Sequence, residues 1–426
     1  MCGRRNAGAA NRQGLGASTN SQPLEGNKAA GPGPPPQREP QPEPGRTAES
    51  SRRATILSML SVFSSPSRYT QGPGATESLG AEMERVGLRG PAMVLASRSA
   101  AAKLAESWKR TFGASGFEYS VQPFGGECSH REIEEVKQAA QRAKAATVVG
   151  AGGGKVLDTA RAVAAELGLP VVNCPTVASS DAPCSALSVI YNDEGVVVDY
   201  RVYGRNPELV LVDTSVIASA PPRLLVAGMG DALATLFEAR TAVRGHVKNM
   251  RGGASTTSAL ALAELCYRTL IQDGRDARAA TENQAVTPAL ERVVEANTLL
   301  SGLGFESSGL AAAHSVHNGL TVAHGTHDYF HGEKVAFGTL VQLVLEGKAR
   351  STIEEVLTFC TEVGLPITLA DVGLASCGRE VLERVAKRSV ARGETIHNEP
   401  FEVRPEMVLD AIRAADAIGQ RWKMSA

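Results

Sequence analysis

Val148-Val149-Gly150-Ala151-Gly152-Gly153-Gly154-Lys155 is an apolar run that becomes a glycine run and then opens a helix-forming stretch, Lys155–Leu167. The pattern predicts a buried strand over Ala146–Val149, a tight turn and a helix. Glycines at such a turn let backbone amides approach a pyrophosphate, and the helix N-terminus adds partial positive charge. The run is not a Walker loop: the spacing before Lys155 is wrong, and Val156 stands where Ser or Thr would bind magnesium. Turns of this kind also serve purely structural ends, so the meaning of this one depends on its surroundings.

On either side the same alternation continues. Pro91–Ser97 reads as a strand and Ser99–Phe112 as a helix. Glu118–Pro123 reads as a strand, and Ser129 opens a helix with Glu132 in capping-box spacing. Pro170–Pro175 and Glu208–Asp213 are two more strands, and Ile190–Tyr203 is expected as an inserted hairpin. Strands alternating with helices predict a parallel sheet covered by helices. After Pro221-Pro222 the periodicity is helical throughout, over Leu224–Arg240, Ser255–Leu270, Ala289–Gly302, Gly309–Asn318, Gly332–Glu346, Thr352–Val363, Gly378–Ser389 and Pro405–Gln420. The expected fold is α/β, with a Rossmann-like parallel-sheet nucleotide domain over 64–218 and an all-helical domain over 219–426.

Residues 1–58 are rich in Gly, Pro, Ser, Gln and Arg and nearly empty of core-forming side chains, which predicts a disordered extension. Arg4, Arg5 and Arg12 with no early acid fit an organellar transit peptide, but Glu25, Glu39, Glu43 and Glu49 do not; translation from Met59 is the plainer alternative. The expected location is the cytoplasm, or a mitochondrion or plastid if 1–58 is a transit peptide.

The chain has 426 residues, a net charge of −1, a 43% hydrophobic share and only 4% aromatics. That leaves room for two domains with aliphatic cores and gives no electrostatic reason to expect nucleic acid or an anionic membrane. Seven scattered cysteines with no Cys-x-x-Cys pair argue against disulfides and against a thiolate zinc site. No apolar run approaches the roughly 20 residues that cross a bilayer.

Five of the eight histidines, His314, His317, His324, His327 and His331, fall within eighteen residues. His314 and His317 share a helical face, and His331 precedes another helix. In Gly228-Met229-Gly230-Asp231-Ala232-Leu233-Ala234, Asp231 stands in an apolar helical run, where a carboxylate must be paired or metal-bound. Asp231 with two of these histidines and no thiolate fits catalytic zinc, and equally Fe(II). A second candidate loop, Pro175-Thr176-Val177-Ala178-Ser179-Ser180-Asp181-Ala182-Pro183, offers hydroxyls and a carboxylate after a strand.

Segments 65–75, 152–155, 179–191 (Ser-Ser-Asp-Ala-Pro-Cys-Ser-Ala-Leu-Ser-Val-Ile-Tyr), 228–234, 314–320 and 331–338 (His-Gly-Glu-Lys-Val-Ala-Phe-Gly) resemble, in this order, the metal-dependent polyol dehydrogenases, the family of glycerol dehydrogenases and iron-dependent alcohol dehydrogenases. The resemblance spans about Ser64 to Trp422. It implies a two-domain plan like that of dehydroquinate synthase, with the active site in the cleft. It implies zinc ligands Asp231, His314 and His331, and Asp181 as the polyol-binding and catalytic carboxylate. Dinucleotide contacts would come from Ser97, Gly153, Gly154, Lys155, Thr176, Ser179, Ser185, Leu187 and Tyr191. His317 falls near the site as a non-ligand that is a candidate for proton relay. A homo-oligomer is implied, with an octamer suggested.

The activity so implied is reversible oxidation of glycerol to dihydroxyacetone. A Lewis-acidic metal would favour the alkoxide, and NAD would accept the hydride. Ser97-Arg98 stands where these enzymes place an Asp that holds the adenosine ribose, so NADP becomes an alternative cofactor. Rival readings are glycerol-1-phosphate dehydrogenase and a dehydroquinate synthase-like lyase. Both hold a substrate phosphate, for which the metal-proximal segments offer mainly Lys334. A non-catalytic nucleotide-binding scaffold with a docking segment at Pro34–Pro44 is a third.

Overall fold

Short, fully buried apolar runs build the sheet. In chain order the strands are β1 (Tyr69–Gly72), β2 (Ala92–Ala96), β3 (Tyr119–Pro123), β4 (Thr147–Gly152), β5 (Val171–Pro175), β6 (Leu187–Tyr191), β7 (Val197–Val202) and β8 (Leu209–Asp213). The structure is a computed structural model that describes residues 59–192 and 195–425. The expected extension 1–58 lies outside them, as do positions 193 and 194 of the hairpin.

Six strands form a parallel sheet in the order β1-β8-β5-β4-β2-β3. Every residue of β2, β4, β5 and β8 is buried, as expected when helices cover both faces of a parallel sheet. Five helices accompany the sheet: α1 (Leu79–Arg85), α2 (Arg98–Ala114), α3 (His130–Arg142), α4 (Gly154–Leu167) and α5 (Thr214–Ala218). Trp108 and Phe112 of α2 fill one face of the sheet, and Ile133, Val136, Val156 and Val163 of α3 and α4 fill the other. From β2 the chain moves outward to β3, then returns across β2 to β4 and continues the other way to β5. The order therefore reverses between β2 and β4, and crevices at such reversals bind ligands beyond the strands' carboxyl ends.

The remaining helices are α6 (Pro222–Arg244), α7 (Thr257–Glu282), α8 (Pro288–Glu295), α9 (Ser301–Ser308), α10 (Ala312–Leu320), α11 (His331–Leu345), α12 (Arg350–Val363), α13 (Arg379–Ser389) and α14 (Pro405–Ser425). α6 packs against α7 and α11, and α10 against α11 and α13. Their aliphatic core runs on into Val210 and Val212 of the sheet. Among the described residues no helix is long and apolar enough to cross a membrane.

Three details differ from expectation. β1, a polar Tyr-Thr-Gln-Gly strand with no hydrophobic signature, pairs with β8 at the sheet edge. The helix expected over Ala289–Gly302 is interrupted by a π turn, Ala296–Leu300, between α8 and α9. The capping box at Ser129 is half made: Ser129 Oγ accepts from Glu132 N, but the Glu132 carboxylate accepts instead from Gly125 N at 2.7 Å. The inserted hairpin forms as β6 and β7, an antiparallel pair separate from the main sheet. Residues 60–64 already pair with 249–254, through Ala254 N to Leu60 O (2.9 Å) and Val62 N to Ala254 O (3.1 Å).

Candidate active site

The carboxyl ends of β2, β4 and β5 open on a cleft of about 810 Å³. Ser97 ends β2 and caps α2, its Oγ accepting from Ala100 N at 3.2 Å, and exposed Arg98 follows on the rim. Gly153 caps α4, and Gly154 and Lys155 form its first turn, on the wall of the cleft. Lys155 pairs with Glu127 and lies 4.9 Å from the centre of the Tyr191 ring. Ser179, Asp181, Ser185, Leu187 and Tyr191 complete this wall. Thr176 stands behind it, donating its N–H to Gly152 O at 3.0 Å. His317 and His331 face the same cleft from the helical side.

Behind His331 lie the other two expected ligands. Asp231 Oδ1 is 3.0 Å from His331 Nε2 and 3.3 Å from His314 Nε2. One ligand atom from each residue lies within 4.8 Å of the other two. Close helix packing makes this possible. A Cβ on Gly230 would come within 2.3 Å of Gly332 O, and one on Gly332 within 1.8 Å of Ala227 O, so α6 and α11 touch backbone to backbone where Asp231 meets His331.

Hydrogen bonds behind the trio fix which nitrogens face Asp231. Glu238 accepts His314 Nδ1–H at 2.6 Å and also the backbone N–H groups of Ala311 and His314. His314 Nε2 is therefore turned toward Asp231 Oδ1, where its lone pair would be available to a metal ion. Asn318 Nδ2 donates to Glu394, which orients its Oδ1 to accept from Tyr200 Oη and from His317 Nδ1–H at 3.1 Å. His317 Nε2 then accepts His331 Nδ1–H at 3.0 Å, which leaves His331 Nε2 turned toward Asp231 Oδ1 at 3.0 Å. Two imidazole nitrogens and a carboxylate converge, each imidazole anchored through its other nitrogen, as at metal sites. This donor set fits a divalent ion with an open position, and it contains no thiolate.

The Asp231 and Glu238 carboxylates make this pocket strongly attractive to positive charge. Burial opposes charge on His314, yet Glu238 and Asp231 hold its pKa well above the ordinary value. Burial pushes the Asp231 carboxyl up, but His331 and His314 overcome this and hold it well below the carboxylate range. Burial and then His331 and Lys334 push His317 well below its ordinary value, so it is neutral. Asp181, buried and beside the Asp231 charge, is pushed well above the ordinary carboxylate value. Its backbone N–H donates to Asp231 Oδ2 at 3.1 Å, and its Oδ2 accepts from Ser301 Oγ at 3.0 Å.

Of the five clustered histidines, the structure brings together His314, His317 and His331. His324 and His327 stack on each other at 5.1 Å on the preceding turn, and His327 reaches the cleft rim. Sequence reasoning missed Glu238, although it lies two helical turns after Asp231 on the same face. It also missed Asn297 and Ser301. Asn297, on the π turn, donates to Ala178 O at 3.0 Å and Leu225 O at 3.1 Å and so pins the Thr176–Asp181 loop. Nothing local in the sequence marks a π turn, a feature that recurs at functional sites.

Residues 66–214 match the family model of the iron-containing alcohol dehydrogenases. The chain is 51% identical to a glycerol dehydrogenase of Thermotoga maritima over 86% of its length and 99% of that protein. It is 49% identical to one of Escherichia coli O6:H1 over 85% of its length and 98% of that protein. The solved structure of glycerol dehydrogenase from Schizosaccharomyces pombe superposes with a TM-score of 0.83 at 37% identity, covering 86% of this chain and 93% of that one. The chain therefore belongs to the iron-containing alcohol dehydrogenase family, an oxidoreductase of the branch that includes the glycerol dehydrogenases.

Proposed function

We propose that the protein oxidises glycerol at its secondary hydroxyl to dihydroxyacetone, reversibly, with NAD as the hydride acceptor and NADP as the alternative. The observation that carries this reading is a single cleft joining the glycine turn at the β2/β4 reversal to the Asp231–His314–His331 trio. Asp231, His314 and His331 would hold one divalent ion, zinc with Fe(II) as the alternative, whose Lewis acidity favours deprotonation of an alcohol. Residues 64–218 would carry the dinucleotide, and 219–426 the metal. Gly153, Gly154 and Lys155 at the α4 N-terminus would take the pyrophosphate. Ser97 would face the adenosine ribose, and Thr176, Ser179, Ser185, Leu187 and Tyr191 the remainder.

Asp181 would accept hydrogen bonds from the polyol's other hydroxyls and so orient it. His317, which lines the cleft and is hydrogen-bonded to His331, would help relay the proton leaving the alcohol. The relatives named above support an uncharged polyol over a phosphorylated substrate. A homo-oligomer in the cytoplasm completes the proposal. The test is a spectrophotometric screen of small polyols and of glycerol 1-phosphate with NAD and NADP, run on protein of measured metal content. Glycerol and close diols should lead. Turnover of glycerol 1-phosphate alone would overturn the assignment.

A further inference from the structure

Lys334 is 8% exposed and lines the active cleft. Its ammonium carries three N–H donors, but its one side-chain hydrogen bond among the described residues, to Thr326 O, is 3.5 Å long. The neighbouring Glu333 is already engaged: Arg223 grips it at 2.6 and 2.8 Å, and it accepts from Phe330 N at 2.8 Å. Burial, and then Lys155 across the cleft, push the Lys334 pKa down to about 8. A buried ammonium without an anionic partner is costly, so the missing anion should arrive with a ligand.

Among the described residues, the cleft carboxylates do not supply it. Asp158 is bound by Arg161 at 2.8 Å, and Asp181 Oδ2 is engaged by Ser301 Oγ at 3.0 Å. Lys155 stands at the N-terminus of α4 on one wall, and Lys334 stands on α11 on the other, three residues past His331 and on the same helical face. A dinucleotide laid from Ser97 toward the trio carries its diphosphate past the α4 N-terminus, between these two lysines.

Resting on the dinucleotide reading above, we infer that Lys334 binds the cofactor's diphosphate from the helical side of the cleft, at the phosphate that bears the nicotinamide ribose. The ligand thereby links the sheet and helical sides of the cleft through one charge on each. Lys334 is then a cofactor-binding residue rather than a substrate-phosphate receptor.

The test is direct binding to metal-reconstituted protein, following NADH by fluorescence with ADP-ribose and AMP as competitors. K334M should weaken NADH and ADP-ribose by about tenfold to a hundredfold, the scale of a hydrogen bond to a charged group. AMP, which lacks the second phosphate, should stay within threefold, and metal content should be unchanged. K334R, which keeps the charge, should recover most of the affinity, and K334Q serves if the Met variant does not fold. Unchanged NADH affinity in K334M or K334Q overturns the inference, as does equal weakening of AMP. A rise in the glycerol KM with NADH binding intact also overturns it and assigns the lysine to substrate. If the wild-type protein binds no NADH, the dinucleotide reading itself fails.

Discussion

Ser97 shows how one side chain can set cofactor choice. It ends β2 on the cleft rim with Arg98 beside it, and its Oγ caps α2. Asp is as good an N-cap as Ser, so S97D should fold normally. A carboxylate there would hydrogen-bond a ribose diol and repel a 2′-phosphate. S97D should therefore shift the ratio of specificity constants toward NAD by up to about a hundredfold, from ~1–3 kcal/mol of charge-assisted hydrogen bonding. R98A should act in the same direction by weakening NADP. Steady-state kinetics with both cofactors decide the matter, and an unmoved ratio in both variants places the adenosine elsewhere. Asp231 and the histidine cluster were legible in sequence because the chain is poor in histidine elsewhere and because a lone carboxylate in an apolar helix demands a partner, but only the family resemblance singled out His314 and His331. Asn318 was not legible: its effect on His331 passes through His317 and requires the folded geometry.

At the scale of elements, the sheet and most helices were readable because their burial is periodic. The strands buried on both faces appear as unbroken apolar runs, and the helices beyond Pro222 as stripes. What escaped has a physical reason. β1 is held by its pairing with β8, by Asp213, which accepts from Gly74 N and Thr76 N just beyond it, and by Tyr69 against the helical core, without the run of apolar residues that marks the other strands. The π turn is a register change that its side chains do not announce.

A second element-scale feature is the segment after the 3-10 turn Thr395–Asn398, which buries Glu399. Burial, and then Glu346 and Glu238, push its carboxyl to about 8, against about 4.3 in an unfolded chain. Between those values the unfolded state binds fewer protons, so this group's stabilisation is full below the lower value and is lost as pH rises through the higher. The loss is at most about 1.4 kcal/mol per pH unit. E399Q removes this dependence. It should melt with wild type near pH 5 and above it near pH 8.5. A melting difference that is the same at both pH values contradicts the assignment.

The whole molecule is organised around one cleft. The reversal of strand order opens it, the glycine turn and the Ser179–Ser185 loop line its sheet side, and α6, α10 and α11 bring three ligand atoms to its helical side. Both sides are needed for an alcohol, a metal and a dinucleotide to meet, and the central claim is that one divalent ion at the trio makes the oxidation possible. The most direct measurement strips the protein with a chelator and titrates zinc back while following glycerol-dependent NADH formation and bound metal together. Activity should be lost on stripping and should rise linearly to a plateau at one ion per chain. D231A should remain soluble, bind no ion at that stoichiometry and stay inactive. Full turnover by the stripped protein, or by D231A with metal bound at one per chain, would contradict the account.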